Sequence, residues 1–79
     1  MKYIIFEDFS GAPTPIIFPN RIDHADMREQ MPYTKALSAG YVSHGPAGFS
    51  CHGKSKTLGL EAKASDAEII REKFEDAES

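Results

Sequence analysis

The sequence contains one cysteine, no tryptophan and no long apolar run, and these shortages exclude several classes of protein. The single cysteine, Cys51, cannot close a disulfide within the chain, which excludes the disulfide frameworks of small secreted domains. The longest apolar runs cover residues 3–6 and 16–18, far fewer than the roughly 20 residues that span a bilayer. The opening segment lacks the apolar region and cleavage site of a signal peptide. We therefore expect a cytoplasmic protein with no membrane partner.

Basic charge is also scarce, since nine lysines and arginines stand against twelve aspartates and glutamates, for a formal net charge of -3. Proteins that bind the nucleic-acid backbone normally carry a basic excess or a basic stripe. The nearest approach to a basic patch here is formed by Lys54, Lys56 and Lys63. Nucleic-acid binding through these lysines is a hypothesis that the charge balance disfavours.

The chain is long enough for a single domain, residues 1–79, and its 41% of hydrophobic residues is ordinary for a globular protein. A core of this size is only marginally stable alone, and small proteins often gain stability from disulfides, metals or oligomerisation. The lack of an internal disulfide favours a reducing compartment or a self-associating chain, and we expect a homo-oligomer.

Two strand-like segments open the chain. Residues 2–8 begin with consecutive apolar positions, which is typical of a central strand covered on both faces. Residues 16–18 form a shorter strand between Pro15 and Pro19, and proline cannot donate to a ladder of backbone hydrogen bonds. This second strand is therefore predicted at a sheet edge, paired with the first as a hairpin.

Three further strand-like segments follow residue 35. The turn at residues 45–48 predicts a hairpin between residues 41–44 and 49–52. Residues 53–56 read as a polar break, and residues 57–62 then alternate polar and apolar positions as a half-buried strand does.

Two helices are predicted between and after these strands. Asp23 is a good N-cap for a short helix that Pro32 brings to an end. Ser65 and Glu68 form a capping box for the last helix. Its apolar face consists of Ala67, Ile69, Ile70, Phe74 and Ala77.

The resulting order is β-β-α-β-β-β-α. Its connections are too short for parallel crossovers except across the first helix. The predicted fold is therefore α+β: a small antiparallel sheet of about five strands with the C-terminal helix packed on one face.

Residues 48–55 read GFSCHGKS and match the phosphate-loop pattern G-x-x-x-x-G-K-[ST]. A phosphate loop requires a helix directly after the motif, because the helix N-terminus and the loop amides hold the phosphates. Residues 56–60 instead show strand alternation, which argues against nucleotide hydrolysis. Two alternatives remain for the 53–56 turn: a solvated turn or bulge, or an anion-binding site formed by His52, Gly53, Lys54 and Ser55.

His44, Cys51 and His52 flank the predicted hairpin and include ligand types that zinc prefers. Cys51 and His52 are neighbours on a strand, so they point to opposite faces and only one of them can join His44. Cys51 is expected to point into the core with Phe49, where a thiol behaves as a small hydrophobe. We therefore expect no metal site, no cofactor and no catalytic cysteine.

Five stretches distributed over most of the chain carry a resemblance: KYIIFED, IIFP before HAD, SAGYV, FSCHGKSKTLGL and SDAEII. Together they resemble short uncharacterised proteins of phages and prophages. The resemblance implies an accessory protein that acts in the cytoplasm of a bacterial host. Since that group has no assigned chemistry, the resemblance implies no functional residues.

The expected function is binding rather than catalysis, because no catalytic constellation stands out. The first hypothesis is a non-enzymatic phage-type accessory protein that binds another protein, conceivably a host factor, and self-associates. The alternatives are a small anionic-ligand binding protein that uses the 53–56 turn and a nucleic-acid-binding accessory protein.

Overall fold

A computed structural model describes residues 1–33, 35–46 and 48–75 of the chain. The elements follow in the order β1 (Lys2–Glu7), β2 (Pro13–Phe18), α1 (His24–Gln30), β3 (Lys35–Gly45), β4 (Gly48–His52), β5 (Lys54–Ser55), β6 (Leu60–Glu61) and α2 (Asp66–Glu75).

The four longer strands form one antiparallel sheet in the order β2-β1-β3-β4. Residues 3–6 of β1 are fully buried, which confirms the central strand predicted from their consecutive apolar side chains. β2 lies at one edge, as its prolines predict, with Pro15 opposite Ile5. β4 lies at the other edge and pairs with β3 as the predicted hairpin.

The sheet buries side chains on both faces, because successive strand residues point to opposite sides. The α2-side cluster contains residues of β1, β3 and α2: Tyr3, Ile5, Val42 and Ile70. The α1-side cluster, on the opposite face, contains Ile4, Phe6, Phe18 and Ala39. Met27 of α1 packs on this second cluster together with Leu58 and Leu60 of the β5–β6 hairpin. The sheet is thus covered by α2 on one side and by α1 with the hairpin on the other.

The fold class predicted from the sequence is confirmed: a small α+β fold with an antiparallel sheet and the C-terminal helix packed on it. The detail of the last strands differs from the prediction. Lys54 and Ser55, predicted to lie in a polar break, form β5, and residues 56–59 form the turn. Residues 60–61 then return as β6, so a separate two-stranded hairpin replaces the predicted fifth strand.

Both helices begin where the sequence predicts. The Asp23 carboxylate caps α1 by accepting a hydrogen bond from the backbone amide of Ala25, and α1 ends at Gln30 before Pro32. α2 begins at Asp66, directly after the predicted cap. The Glu68 carboxylate, expected to reach back in a capping box, accepts a hydrogen bond from Arg71.

The predicted apolar face of α2 is only partly buried. Ile70 is fully buried and Ile69 packs beside it. Phe74, however, remains 38% exposed, and Ala77 lies outside the described residues. The first half of the helix therefore makes the main contact with the sheet.

Candidate functional site

A cleft lies between the start of α1 and the β5–β6 hairpin and encloses a cavity of about 220 Å³. The sheet contributes Lys2 from β1 and Tyr41 from β3. The α1 side contributes Asp23 and His24, and the hairpin contributes residues 54–57. We call this group the lysine cleft.

The lysine cleft has a local positive excess on a chain whose net charge is negative. Lys2, Lys54 and Lys56 line it against a single acid, Asp23. The Lys2 ammonium donates a 3.0 Å hydrogen bond to the carbonyl of Ile22, which holds this lysine beside α1. Lys54 and Lys56 are exposed, and neither has an ion-pair partner in the described part of the chain. Because a charge without a partner is available to a ligand, the cleft is suited to anions.

The hairpin exposes its two lysines because the residue between them points inward. Ser55 is only 3% exposed, and its hydroxyl lies 3.3 Å from the hydroxyl of Thr57. The same Ser55 oxygen accepts a 3.4 Å hydrogen bond from the amide of Leu58. These contacts tie the start of the 56–59 turn to β5 and leave Lys54 and Lys56 at the surface.

A second cavity, of about 390 Å³, lies on the same hairpin and shares residues 54–56 with the lysine cleft. Its other lining residues are Gly59, Leu60 and Glu61. Its charged lining consists of Lys54, Lys56 and one acid, Glu61, which is the register partner of Lys54, so its positive excess is smaller than that of the lysine cleft. The larger cavity is therefore the weaker candidate for an anion.

Three side chains form a row across the sheet on the cleft side. Lys2, Tyr41 and His52 are register partners on β1, β3 and β4. The Tyr41 and His52 rings are stacked, with centroids 6.1 Å apart and planes inclined by 23°. His24 meets the Tyr41 ring edge-on at 5.9 Å, and its Nε2–H donates a 3.0 Å hydrogen bond to the buried carbonyl of Gly40. The row places two aromatic rings next to the lysines.

The four residues predicted to bind an anion lie in and beside the lysine cleft. Lys54 and Ser55 line it, whereas His52 lies beside it, stacked on Tyr41. Gly53 has a φ of 78°, which glycine adopts without strain, and a Cβ there would lie 2.9 Å from a carbon of the Tyr41 ring. Anion binding by these residues stays a prediction.

The sequence did not indicate the rest of the cleft. Lys2, Asp23, His24 and Tyr41 come from three distant segments, and no local spacing connects them. Lys56 belongs to the 53–56 turn and to the possible basic patch of the sequence, but it is not among the four residues predicted to bind the anion. The one local pattern that points to the cleft is the pair of lysines on either side of Ser55, because residues two apart on a strand share a face.

Residues 48–55, which match the phosphate-loop pattern, form β4, a single glycine and β5. A turn and then β6 follow, where a phosphate loop requires a helix. The absence of this helix is the outcome predicted from the alternation of residues 56–60. The segment therefore does not have the geometry that cradles a nucleoside triphosphate.

The two histidines of the hairpin lie on opposite faces of the sheet. His44 is the register partner of Phe49 and stacks on it at 4.4 Å, whereas His52 is the partner of Tyr41. Phe49 and Cys51 pack together on the α2-side cluster, as predicted. Within residues 1–33, 35–46 and 48–75, no group of three or more His, Cys, Asp or Glu side chains is placed to hold a metal ion.

A buried polar network joins α2 to the sheet on the face opposite the lysine cleft. The Asp66 carboxylate is 1% exposed and accepts hydrogen bonds from the hydroxyl of Tyr3, from the hydroxyl of Ser38 at 2.9 Å and from the amide of Lys63 at 2.9 Å. All three donors are thus satisfied by one side chain, as buried polar groups require. The network is enclosed, so its role is structural.

The same network perturbs two neighbouring groups. Burial, and then the hydrogen bond to Asp66, raise the pKa of Tyr3 above its ordinary value of 10.0. Burial also raises the pKa of the Cys51 thiol above 9.0; the Asp66 charge adds to this, and a hydrogen bond with Tyr3 opposes it. Since the thiolate is the reactive form of cysteine, the raised pKa leaves less of Cys51 in its nucleophilic form.

No helix in the described part of the chain is long and apolar enough to cross a membrane. Comparison of the chain with protein-family models, with curated proteins and with solved structures gives no match.

Proposed function

We propose that the protein is a small binding protein that holds an anionic group, of the phosphate or carboxylate type, in the lysine cleft. The observation that carries this proposal is the convergence of Lys2, Lys54 and Lys56 on one cavity of an acidic protein. Ammonium groups bind such anions as compact point charges with several donors each. Nearby hydroxyl groups on Tyr41 and Thr57 can add hydrogen bonds to the same oxygens.

The proposed function is binding without a catalysed reaction. The lining residues supply charge and hydrogen bonds, and the half-buried Cys51 lies on the other face of the sheet. The cavity of about 220 Å³ is smaller than the roughly 300–1,000 Å³ of pockets that enclose drug-sized ligands. A single anionic group therefore fits the cleft better than a whole enclosed substrate.

The test titrates inorganic phosphate into isotope-labelled protein and follows the backbone amides by nuclear magnetic resonance. We expect saturable shifts at residues 54–57 and at Lys2. Replacing both Lys54 and Lys56 by alanine should weaken binding by about tenfold or more, because two charge contacts are lost. Lys73→Ala removes one exposed charge from α2 and should leave the affinity within about twofold.

Two outcomes would refute the proposal. One is the absence of shifts in the lysine cleft at millimolar phosphate and low salt. The other is an equal loss of affinity in the single Lys73→Ala variant and in the Lys54→Ala/Lys56→Ala variant, which would show attraction to overall charge rather than to the cleft.

A second candidate function, protein binding with self-association, is favoured by the difference between the two sheet edges. β2 carries Pro13 and Pro15, which protect an edge from pairing with another strand. β4 has neither proline nor a formally charged residue, and among the described strands it pairs only with β3. We propose a second copy of the chain as its partner, because antiparallel pairing about Ser50 would bring uncharged residues together and set Phe49 opposite Cys51 of the partner.

Ser50→Lys tests this second candidate, because a two-fold pairing would place two added lysines directly opposite each other, which is destabilising. Light scattering should then show a dimer for the original chain and a monomer for the variant. Ser43→Lys is the matched control, since Ser43 lies opposite Ser50 on the interior strand β3 and is also exposed. A monomeric original chain would refute the pairing.

The phage-type context and the nucleic-acid alternative are further proposals. The first is supported by the resemblance alone and implies a bacterial cytoplasm as the site of action. The second is supported by Lys54, Lys56 and Lys63, all of which are exposed. It predicts an affinity that falls steeply with salt, and failure to bind single- or double-stranded DNA at low salt would exclude it.

A further inference from the structure

We propose that the anion bound in the lysine cleft is the phosphate of a nucleotide-like molecule, whose planar base stacks on His52. This inference rests on the proposed function, because it requires the lysines to hold the phosphate. It adds a second contact that defines the class of ligand.

The first observation is the row of Lys2, Tyr41 and His52 across the sheet. Neighbouring strands lie about 5 Å apart, so the phosphate-binding end and the outer ring of the row are about two strand spacings apart. His52 also precedes Lys54 by two residues, a span of at most about 7 Å. A phosphate and a base joined through one sugar can therefore contact both ends of this surface.

The second observation is the state of the two rings. Tyr41 is half-buried and is fixed on several sides: His52 stacks on it, His24 meets it edge-on, and the backbone of Gly53 lies against its edge. His52 is exposed at the end of β4. An incoming ring would extend the existing Tyr41–His52 stack by one member, at little cost in side-chain entropy because the pair is already ordered.

The third observation is the size of the cavity. A volume of about 220 Å³ suits a phosphate and its immediate substituent but does not enclose a whole nucleotide. The remainder of the ligand must lie on the surface, and the exposed ring next to the lysines is His52. Stacking on aromatic side chains beside basic groups is the way in which proteins hold bases without reading their sequence.

The experiment compares three probes by calorimetry at low salt: inorganic phosphate, deoxyribose 5-phosphate and deoxyadenosine monophosphate. We expect the nucleotide to bind about fivefold to a hundredfold more tightly than the sugar phosphate, which is the range for stacking of one base. His52→Ala should remove this preference, so that the nucleotide and the sugar phosphate bind the variant equally. His52→Phe should restore the preference, since it keeps a stacking ring.

His44→Ala is the matched control, because His44 is an exposed histidine of the same hairpin on the opposite face. It should leave all three affinities unchanged. A short single-stranded oligodeoxyadenylate distinguishes the source of the ligand: tighter binding than the monophosphate, dependent on His52, indicates single-stranded nucleic acid, and weaker or equal binding indicates a free nucleotide.

The failures of the two proposals are distinguishable. Equal binding of the nucleotide and the sugar phosphate, with phosphate binding intact, overturns the stacking inference and leaves the proposed function standing. A preference that survives in His52→Ala also overturns it. Absence of binding by all three probes overturns both.

Discussion

Replacement of Asp66 by alanine is expected to destabilise the protein more than any surface change, because one buried carboxylate satisfies three donors. The substitution would leave the hydroxyl groups of Tyr3 and Ser38 and the amide of Lys63 without their acceptor. Tyr3 and Ser38 are 0% and 1% exposed, so water has little access to replace the lost hydrogen bonds. The alanine would also leave a small cavity beneath the start of α2.

The magnitude follows from the cost of unsatisfied buried groups. Each orphaned donor costs about 1–3 kcal/mol, so the loss of the acceptor for three donors is expected to cost about 3 kcal/mol or more. A chain of this length has a free energy of unfolding of about 4–12 kcal/mol. Asp66→Ala is therefore expected to remove a large part of the stability and to leave a substantial unfolded fraction.

The assay is urea unfolding followed by circular dichroism, with the free energy obtained by linear extrapolation. Tyr3→Phe keeps the ring but loses one hydrogen bond and should cost about 1–2 kcal/mol. Asp66→Asn retains the shape of the side chain, and its amide can still form hydrogen bonds with all three groups. It should therefore lower the free energy of unfolding less than alanine does. Glu68→Ala, on the exposed side of α2, is the control and should cost less than about 1 kcal/mol.

A loss of less than about 1 kcal/mol for Asp66→Ala would refute the reasoning, since it would place the three donors in contact with water. Strict additivity of Tyr3→Phe and Asp66→Ala in the double variant would be equally damaging. Residues in one hydrogen-bond network should instead show a coupling energy of about 0.5–3 kcal/mol.

Four further predictions concern packing, reactivity and pH. Gly40→Ala should lower the free energy of unfolding in urea by about 1–3 kcal/mol or more, because the added Cβ would lie 2.7 Å from the carbonyl oxygen of His52 at the end of β4. Gly45→Ala on the same strand is the control: its Cβ would meet nothing within 4 Å, so the free energy of unfolding should hardly change. Alkylation of Cys51 by iodoacetamide should be much slower in the folded protein than in urea, because burial raises its pKa; equal rates would contradict this. Because the pKa of Tyr3 is raised in the folded protein, the folded state keeps a proton that the unfolded chain loses above about pH 10. The contribution of Tyr3 to stability is therefore complete below about pH 10 and is lost as pH rises further. Tyr3→Phe should therefore flatten the fall in stability above about pH 10. Hydrogen bonds from Ser10 and Ala12 lower the pKa of Asp8 below 3.8, so the contribution of Asp8 to stability is lost as pH falls below that value. Asp8→Asn should therefore make the fall in the free energy of unfolding below about pH 3.8 less steep in the same urea assay.

The sheet could be predicted from the sequence because its signals are local. Consecutive apolar residues in β1, prolines around β2 and a glycine-rich turn between β3 and β4 each specify one element and its neighbour. The short connections then leave antiparallel pairing as the only economical arrangement.

The strand predicted at residues 57–62 is wrong, because alternating apolar residues fit both a strand and the end of a short hairpin. Leu58 and Leu60 alternate as strand residues do, but Leu58 lies in the turn, and both leucines pack on the α1-side cluster. The deciding contact is the buried hydroxyl of Ser55, which bonds to the turn. Hydropathy predicts that a serine faces the solvent, whereas Ser55 faces the interior.

The lysine cleft and the Asp66 network depend on which distant segments meet, so local patterns carry little information about either. Lys2 reaches the cleft through its register with Tyr41, which is set by the whole of β1 and β3. Asp66 lies between the two capping-box residues Ser65 and Glu68, and that local pattern assigns it no role. Its burial follows from the docking of α2 over Tyr3, a residue 63 positions earlier.

That separation has a consequence for the order in which the protein folds. The β1–β2 and β3–β4 hairpins close over short connections, whereas the pairing of β1 with β3 joins Lys2 to Tyr41 and the docking of α2 joins Tyr3 to Asp66. Contacts between distant residues form slowly, because chain entropy is lost before they become favourable. We therefore expect the meeting of the two hairpins to be the slow step of folding, and the lysine cleft cannot form before it, because its residues come from β1, β3 and the segments that follow them.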